Sequence, residues 1–338
     1  MSKFIMFLFF GVLLQSIFLI FYSKIAHKIG LIDIPDSRKR HIGNIPLVGG
    51  LSIYSCFFFF FLVINTTLLH KIIFLSSSLV FIVGLYDDKF KLGVSERFFF
   101  QMLACLIVIG FGIRIYDIGD YLNITVQLGG FGLLLSLITI IAYTNAINFS
   151  DGLDGLASGL ILNCLMSIIL FSFLNNNFTD LEPLIFLLFM IIIFLFANHG
   201  LFFNKVFLGD SGSTALGFLV SCYLVYFTLP DHRFFHPVLT LWAAPLPIFD
   251  LLNVFFLRLL NGKNPFRPDR MHLHFLLLNT NISKKIIPFF MISLSMILSL
   301  LGYMLFILLG SIHSIVFFIF LFFIYVRFSL YLSRINQN

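Results

Sequence analysis

Apolar residues run along this chain in long unbroken blocks separated by short polar stretches. The blocks fall near 4–26, 47–66, 70–86, 98–116, 131–147, 155–174, 183–200, 212–229, 238–260, 286–309 and 312–333. Each is close to the roughly 17–25 residues that a helix needs to cross a bilayer. Continuous runs, without the two-residue alternation of barrel strands, predict helices. The pattern therefore predicts an all-α polytopic membrane protein of about eleven transmembrane helices, with its termini on opposite sides. No internal repeat and no separate soluble domain interrupts it, so residues 1–338 read as one integral membrane domain.

Composition strengthens this picture. Hydrophobic residues make up 60% of the chain and charged residues 11%, against about half and a quarter in soluble domains. Mean hydropathy is +1.05. The first block has no small-residue cleavage pattern and reads as a first span, not a removed signal. Cys56, Cys105, Cys164 and Cys222 lie singly within apolar runs, as small hydrophobes and not as a disulfide or metal framework.

Charge gives the orientation. With the N-terminus outside, 17 of the 21 Lys and Arg residues fall in inside segments, as the positive-inside bias requires. The N-terminus is then periplasmic and the C-terminus cytoplasmic. This asymmetry accounts for the formal charge of +6 without nucleic acid as a partner. Five cytoplasmic loops follow, near 27–46, 87–97, 148–154, 201–211 and 261–285. They hold nearly all the residues able to carry chemistry.

The first loop reads DSRKRHIGNIPLVGG, with a basic patch at Lys39, Arg40 and His41 and a tight finish at Pro46, Gly49 and Gly50. It is a charge anchor or a shaped loop near a ligand. In GLYDDKFKLGVSER, the adjacent Asp87 and Asp88 repel each other unless a cation or base sits between them. Such a pair is a metal or base candidate, or a hydrated loop balanced by Lys89, Lys91 and Arg97. In NAINFSDGLDGLASG, Asn145, Asn148, Asp151 and Asp154 recur every third residue. In a helix they would form a polar row that is costly at a membrane without water, a cation or a ligand.

The fourth stretch, NKVFLGDSGSTALGF, sets Asp210 among small residues. These would let a phosphate approach backbone N–H groups at a helix start, with Lys205 as a point charge. The alternative is a helix cap. In RLLNGKNPFRPDRMHLHFLL, His272 and His274 alternate and would face the same way in an extended loop. Arg267 and Arg270 beside them favour an anionic ligand over a metal. Asp250 lies inside an apolar block, either as a functional carboxylate or as a structural partner of a neighbouring helix. Carboxylates in this number suit Mg²⁺, with Mn²⁺ as the alternative, and the bases suit phosphates. The reaction class that fits is phosphoryl transfer to a lipid-linked acceptor.

These stretches, in this order, resemble the polyprenyl-phosphate N-acetylhexosamine-1-phosphate transferases. The branch most similar is the bacterial one that joins N-acetylglucosamine-1-phosphate to undecaprenyl phosphate. The resemblance covers GLYDDKF, NAINFSDGLDGLASG, KVFLGDSGS and PFRPDRMHLHF, together with RKRHIGNIPLVGG and the span layout. It implies a Mg²⁺-dependent enzyme of the bacterial inner membrane that uses UDP-N-acetylglucosamine and undecaprenyl phosphate. UMP would leave and a lipid diphosphate-sugar would remain, as the first membrane step of a surface polysaccharide of O-antigen or enterobacterial-common-antigen type. By the same resemblance, Asp87 matches the family's base, with Asp88 beside it, and Asp151 and Asp154 match an essential acidic pair. Asp210 and Asn148 match metal positions, and Phe207 matches an aromatic that stacks on uracil. Arg97, Asn145, Asn198, Lys205, Arg270, His272 and His274 match substrate-binding positions. Two positions depart from the family pattern. Lys91 stands where a third acid is common, and Phe275 where a histidine is common. Another UDP-N-acetylhexosamine is the alternative substrate, and a secondary transporter the alternative of another class. A homodimer is an admissible assembly.

Overall fold

The computed structural model describes residues 2–35, 43–260, 262 and 271–335. Its elements, in chain order, are α1 (Ser2–Ile29), β1 (Ile32–Asp33), β2 (Ile45–Pro46), α2 (Gly49–Val63), α3 (Leu68–Phe90) and α4 (Val94–Gly110). There follow β3 (Asp117–Tyr121), β4 (Ile124–Gln127), α5 (Phe131–Ser150), α6 (Leu156–Leu174), α7 (Glu182–Asn198) and α8 (Gly209–Tyr226). Last come α9 (Val238–Ala243), α10 (Pro245–Leu260), α11 (Leu273–Leu278) and α12 (Ile286–Ile335). Lys3–Ile29, Leu68–Phe90, Phe131–Ser150, Leu156–Leu174 and Ile286–Ile335 are long and apolar enough to cross a membrane, and Gly49–Val63 and Glu182–Asn198 are shorter apolar helices. The chain is a helical, multi-pass membrane protein.

The helices gather into two compact units. The first comprises Met1–Ile113 and Phe178–Tyr223. Its core explains the run of five phenylalanines in α2. At helical spacing, Phe57 and Phe60 turn inward and are fully buried, while Phe58 and Phe59 stay exposed. Phe60 stacks on Phe186 of α7 with ring centroids 4.9 Å apart. Buried polar contacts tie α1 to α2, as in the 3.1 Å bond from Gln15 Nε2 to Ser52 Oγ. Such pairs act as glue where apolar faces alone give no preference over lipid.

The second unit comprises Arg114–Asn177 and Leu224–Asn338. Trp242 is fully buried and donates from Nε1 to Ser314 Oγ at 2.9 Å. Asn163 of α6 donates to Ser295 and Ser299 of α12. The block expected at 238–260 is two helices, because Ala244 leaves the helical region and Pro245 opens α10, a first-turn position that proline tolerates. Within α12, Gly310 takes φ 81° and ψ 179°, so the element is two helices that meet where the sequence splits 286–309 from 312–333. The hairpin β3–β4 lies in a stretch read as a connection. Its turn residues Leu122 and Asn123 both have positive φ, as a two-residue hairpin turn requires. Arg233 clamps it by donating to both oxygens of the buried Asp117 at 2.6 Å.

Two boundaries move residues that matter. The loop expected at 87–97 is mostly helix: α3 continues through Phe90 and α4 begins at Val94, so Asp87 and Asp88 sit in the last turns of one helix and Arg97 in the first of the next. The loop expected at 201–211 ends early, because α8 begins at Gly209. Asp210 is thus a first-turn residue. The basic patch of Lys39, Arg40 and His41, and also Arg267 and Arg270, lie outside the described residues.

Candidate active site

The first unit brings the second and fourth polar stretches together. Helix α3 stops because Lys91 adopts a left-handed conformation, φ 55°. That turn aims the next backbone N–H back at the helix. Leu92 N–H donates to Asp87 Oδ1 at 2.7 Å, while Arg97 Nη1 reaches Asp87 Oδ2 at 2.9 Å. Asp88 faces the start of α8. Its Oδ1 accepts the Asp210 N–H at 2.7 Å and its Oδ2 the Ser211 N–H at 3.1 Å. A carboxylate there satisfies two of the N–H groups that every helix start leaves open and lies at the positive end of the helix dipole. Gly209 makes this approach feasible. It has φ +78°, and a Cβ there would lie 2.7 Å from Asp88 Oδ2.

The Asp210 carboxylate interacts directly with that of Asp87 and repels that of Asp88. Gly84, Asp87, Arg97, Gln101, Asp210 and Thr214 line a narrow surface cleft. Among the described residues, no group of three or more His, Cys, Asp or Glu is placed to hold a metal ion by itself. Mg²⁺ does not need one. It keeps several waters and is commonly held by one or two carboxylates together with substrate phosphates. Two adjoining carboxylates at a cleft beside one arginine fit that requirement.

The Lys205–Leu208 segment is held in place by its backbone. Phe207 N–H donates to the Pro46 carbonyl, and Gly49 and Gly50 N–H donate to the Phe207 and Leu208 carbonyls, at 2.8 to 2.9 Å. This is the role of the Pro–Leu–Val–Gly–Gly finish of the first loop. Asn198 is buried and its Nδ2 holds the Val206 carbonyl at 2.9 Å, which places it behind the segment. Lys205 Nζ lies 5.3 Å from the centre of the Phe207 ring.

The second unit joins the third and fifth stretches. Asn145 and Asn148 are on α5, half-buried, and Asn145 Nδ2 bonds back to the Ile141 carbonyl at 2.8 Å. The stretch is not one continuous helix: α5 ends at Ser150, residues 151–155 form a turn, and Gly155 with φ 76° opens α6. Asp151 and Asp154 are exposed on that turn. The histidines do not lie on an extended segment, because His272 caps the short helix α11 and His274 is in its first turn. Their rings still face each other, 6.0 Å apart and 16° from parallel. His274 is fully buried, and burial pushes its imidazole down to about 4. A Cβ on Gly152 would lie 2.9 Å from its Nε2, and the Phe149 ring is 5.3 Å from that of His272. The Asn-Phe-Ser-Asp-Gly turn and the histidine segment therefore abut.

Asp250 is the residue whose role the sequence left open. Its Oδ2 pairs with His272 Nδ1 at 2.8 Å, and its Oδ1 accepts the Leu273 N–H at 2.8 Å and the Tyr325 hydroxyl at 2.7 Å. An acid within an apolar block signals a partner, but nothing in the spacing says that the partner is His272.

Comparison with known proteins agrees with these motifs. The profile described as glycosyl transferase family 4 matches residues 70–228. The undecaprenyl-phosphate alpha-N-acetylglucosaminyl 1-phosphate transferase of Escherichia coli (strain K12) is 33% identical over 279 residues, spanning 81% of this chain and 76% of the relative. Proteins of the same name from Yersinia pestis and Pasteurella multocida (strain Pm70) are also 33% identical, over 283 and 276 residues, covering 81% and 79% of this chain and 76% of each relative. Identity at that level over most of both chains, on top of the ordered motifs, makes this chain a member of glycosyl transferase family 4, the polyprenyl-phosphate N-acetylhexosamine-1-phosphate transferases.

Proposed function

We propose that the protein transfers N-acetylglucosamine-1-phosphate from UDP-N-acetylglucosamine to undecaprenyl phosphate, at the cytoplasmic face of a bacterial inner membrane. The carrying observation is the carboxylate cluster of Asp87, Asp88 and Asp210 at a cleft beside Arg97. The shared motifs and the printed names of the relatives supply the substrates. An oxygen of the lipid phosphate attacks the sugar-bearing phosphorus of the nucleotide sugar. The bond from that phosphorus to the UMP oxygen breaks, and undecaprenyl-diphospho-N-acetylglucosamine and UMP result.

Asp210, with Asp87 beside it, would hold Mg²⁺. When bound, the ion would offset charge on the diphosphate and on the departing UMP. The lipid phosphate has a second pKa of about 6 and is mostly dianionic at neutral pH. Asp87, which is itself held by Arg97 and Leu92, therefore positions the acceptor more than it removes a proton. Asp88 sets the start of α8 and with it the position of Asp210. Lys205 and Arg97 meet phosphates, Phe207 the uracil, Asp151 and Asp154 the nucleotide side, and Asn145, Arg270 and His272 the sugar diphosphate, with the fully buried His274 stacked on the His272 ring. Asn198 holds the Val206 carbonyl, next to Phe207 in the chain.

The test is incubation of purified protein with radiolabelled UDP-N-acetylglucosamine, undecaprenyl phosphate and Mg²⁺. Label should move to the lipid fraction with stoichiometric release of UMP. If neither appears with this sugar but both appear with another UDP-N-acetylhexosamine, the sugar assignment is wrong and the reaction class stands. Absence of both with all such donors would refute the reaction.

A further inference from the structure

The Asp250 site joins three elements that are far apart in sequence. Asp250 is on α10, His272 precedes α11, and Tyr325 is on α12. Asp250 and His272 are 5% and 7% exposed. A buried carboxylate is costly unless its lone pairs are satisfied, and here they are met by the His272 ring, the Leu273 N–H and the Tyr325 hydroxyl, all within 2.8 Å. The arrangement also fixes the ring. His272 also has the Phe149 and His274 rings as neighbours, at centroid distances of 5.3 and 6.0 Å, which add to the hold of the Asp250 bond on the ring.

We infer that Asp250 is a positioning residue that keeps the His272 proton on Nδ1 and so presents Nε2 as the single ring atom available to substrate. A carboxylate has no proton to give, so the Oδ2···Nδ1 bond of 2.8 Å requires hydrogen on Nδ1. In the neutral ring, Nε2 is then an acceptor. This is the general way in which a second group sets a histidine's tautomer and direction. A ring held in this way accepts a hydrogen bond from a ligand hydroxyl or amide N–H. For the reaction proposed above, on which this substrate assignment rests, that donor belongs to the N-acetylhexosamine and not to the lipid phosphate.

Asp250→Asn separates this role from a purely structural one. The amide oxygen still accepts from Leu273 and Tyr325, but the amide nitrogen donates to Nδ1 and forces the ring proton onto Nε2. The expected loss in kcat/KM for UDP-N-acetylglucosamine is about 10–100-fold, the usual cost of removing such an outer partner, while the KM for undecaprenyl phosphate stays as in wild type. Adding Asp250→Asn to His272→Gln should cost nothing further. Losses that multiply would show that Asp250 acts independently of His272 and overturn the inference. Imidazole ¹⁵N NMR of histidine-labelled protein in liposomes, with the His272 signals assigned by difference against His272→Gln, reads the tautomer directly. Nδ1 should be protonated in wild type and in Tyr325→Phe, which leaves the Oδ2 contact intact, and unprotonated in Asp250→Asn. An unprotonated Nδ1 in wild type overturns the inference even if Asp250→Asn does not fold. Because NMR needs no turnover, a failure of the proposed substrate leaves that result standing on its own.

Discussion

Among single residues, the two neighbouring aspartates of α3 illustrate how adjacent identical side chains acquire different tasks. Asp87 is held by Arg97 and Leu92 at the cleft, and Asp88 by the backbone of α8. Asp88→Ala removes two charge-assisted bonds to a helix start and should lower stability by about 1–3 kcal/mol, read as a fall in melting temperature. Asp210→Asn should keep the wild-type melting temperature and lose turnover by roughly 10²–10³-fold, as when one preorganised charge-stabilising group is removed. Its residual rate should need more Mg²⁺. Wild-type turnover in Asp210→Asn would refute its assignment. His274 makes a prediction about pH. Its imidazole titrates near 4 when folded and near 6.5 when unfolded. Between these values the unfolded chain binds a proton that the folded one does not, so stability is full above about 6.5 and declines as pH falls toward 4. Melting temperatures from pH 7.5 to 5 should fall less steeply in His274→Gln than in wild type.

At the scale of elements, the start of α8 is where local backbone and chemistry meet. Gly209→Ala would put a left-handed φ on a residue with a Cβ, costing about 1–2 kcal/mol, and would push that Cβ into Asp88. Both the melting temperature and turnover should fall, and an unchanged melting temperature would show that α8 starts elsewhere. The helices themselves were legible in the sequence, because a run of apolar residues leaves few alternatives. Most ends of the apolar blocks agree with helix ends to within a few residues, and even the Gly310 break falls where the sequence pattern is interrupted. What could not be read were contacts between distant segments. Nothing in Asp-Asp announces which carboxylate caps α8, and nothing in His-Leu-His names Asp250. Helix ends were misplaced wherever a polar residue is paired within the protein. Asp87, Asp88 and Asp210 look like loop residues by hydropathy, yet their partners keep them in helical turns. The hairpin β3–β4 was missed because its turn uses Leu122-Asn123, where glycine would have been the stronger signal.

The whole molecule raises the question of sidedness, since the proposed reaction needs a soluble nucleotide to reach the polar stretches from the cytoplasm. The distribution of Lys and Arg, 17 of 21 in alternate connections, sets the expected orientation, and α7 offers a compact test of it. This helix of 17 residues is about 26 Å long, slightly less than the roughly 30 Å hydrocarbon core, so it spans with little tilt or not at all. Asn176 and Asn204 lie on either side of it and are exposed. The described native cysteines are all buried, which leaves little background for thiol labelling. Asn176→Cys should react with a membrane-impermeant maleimide in right-side-out vesicles and Asn204→Cys should not, with the reverse in inverted vesicles. The opposite pattern would put the polar stretches outside and leave the nucleotide sugar without access. Equal labelling of both positions from one side would mean that α7 does not cross, which would break the eleven-span count between the third and fourth polar stretches.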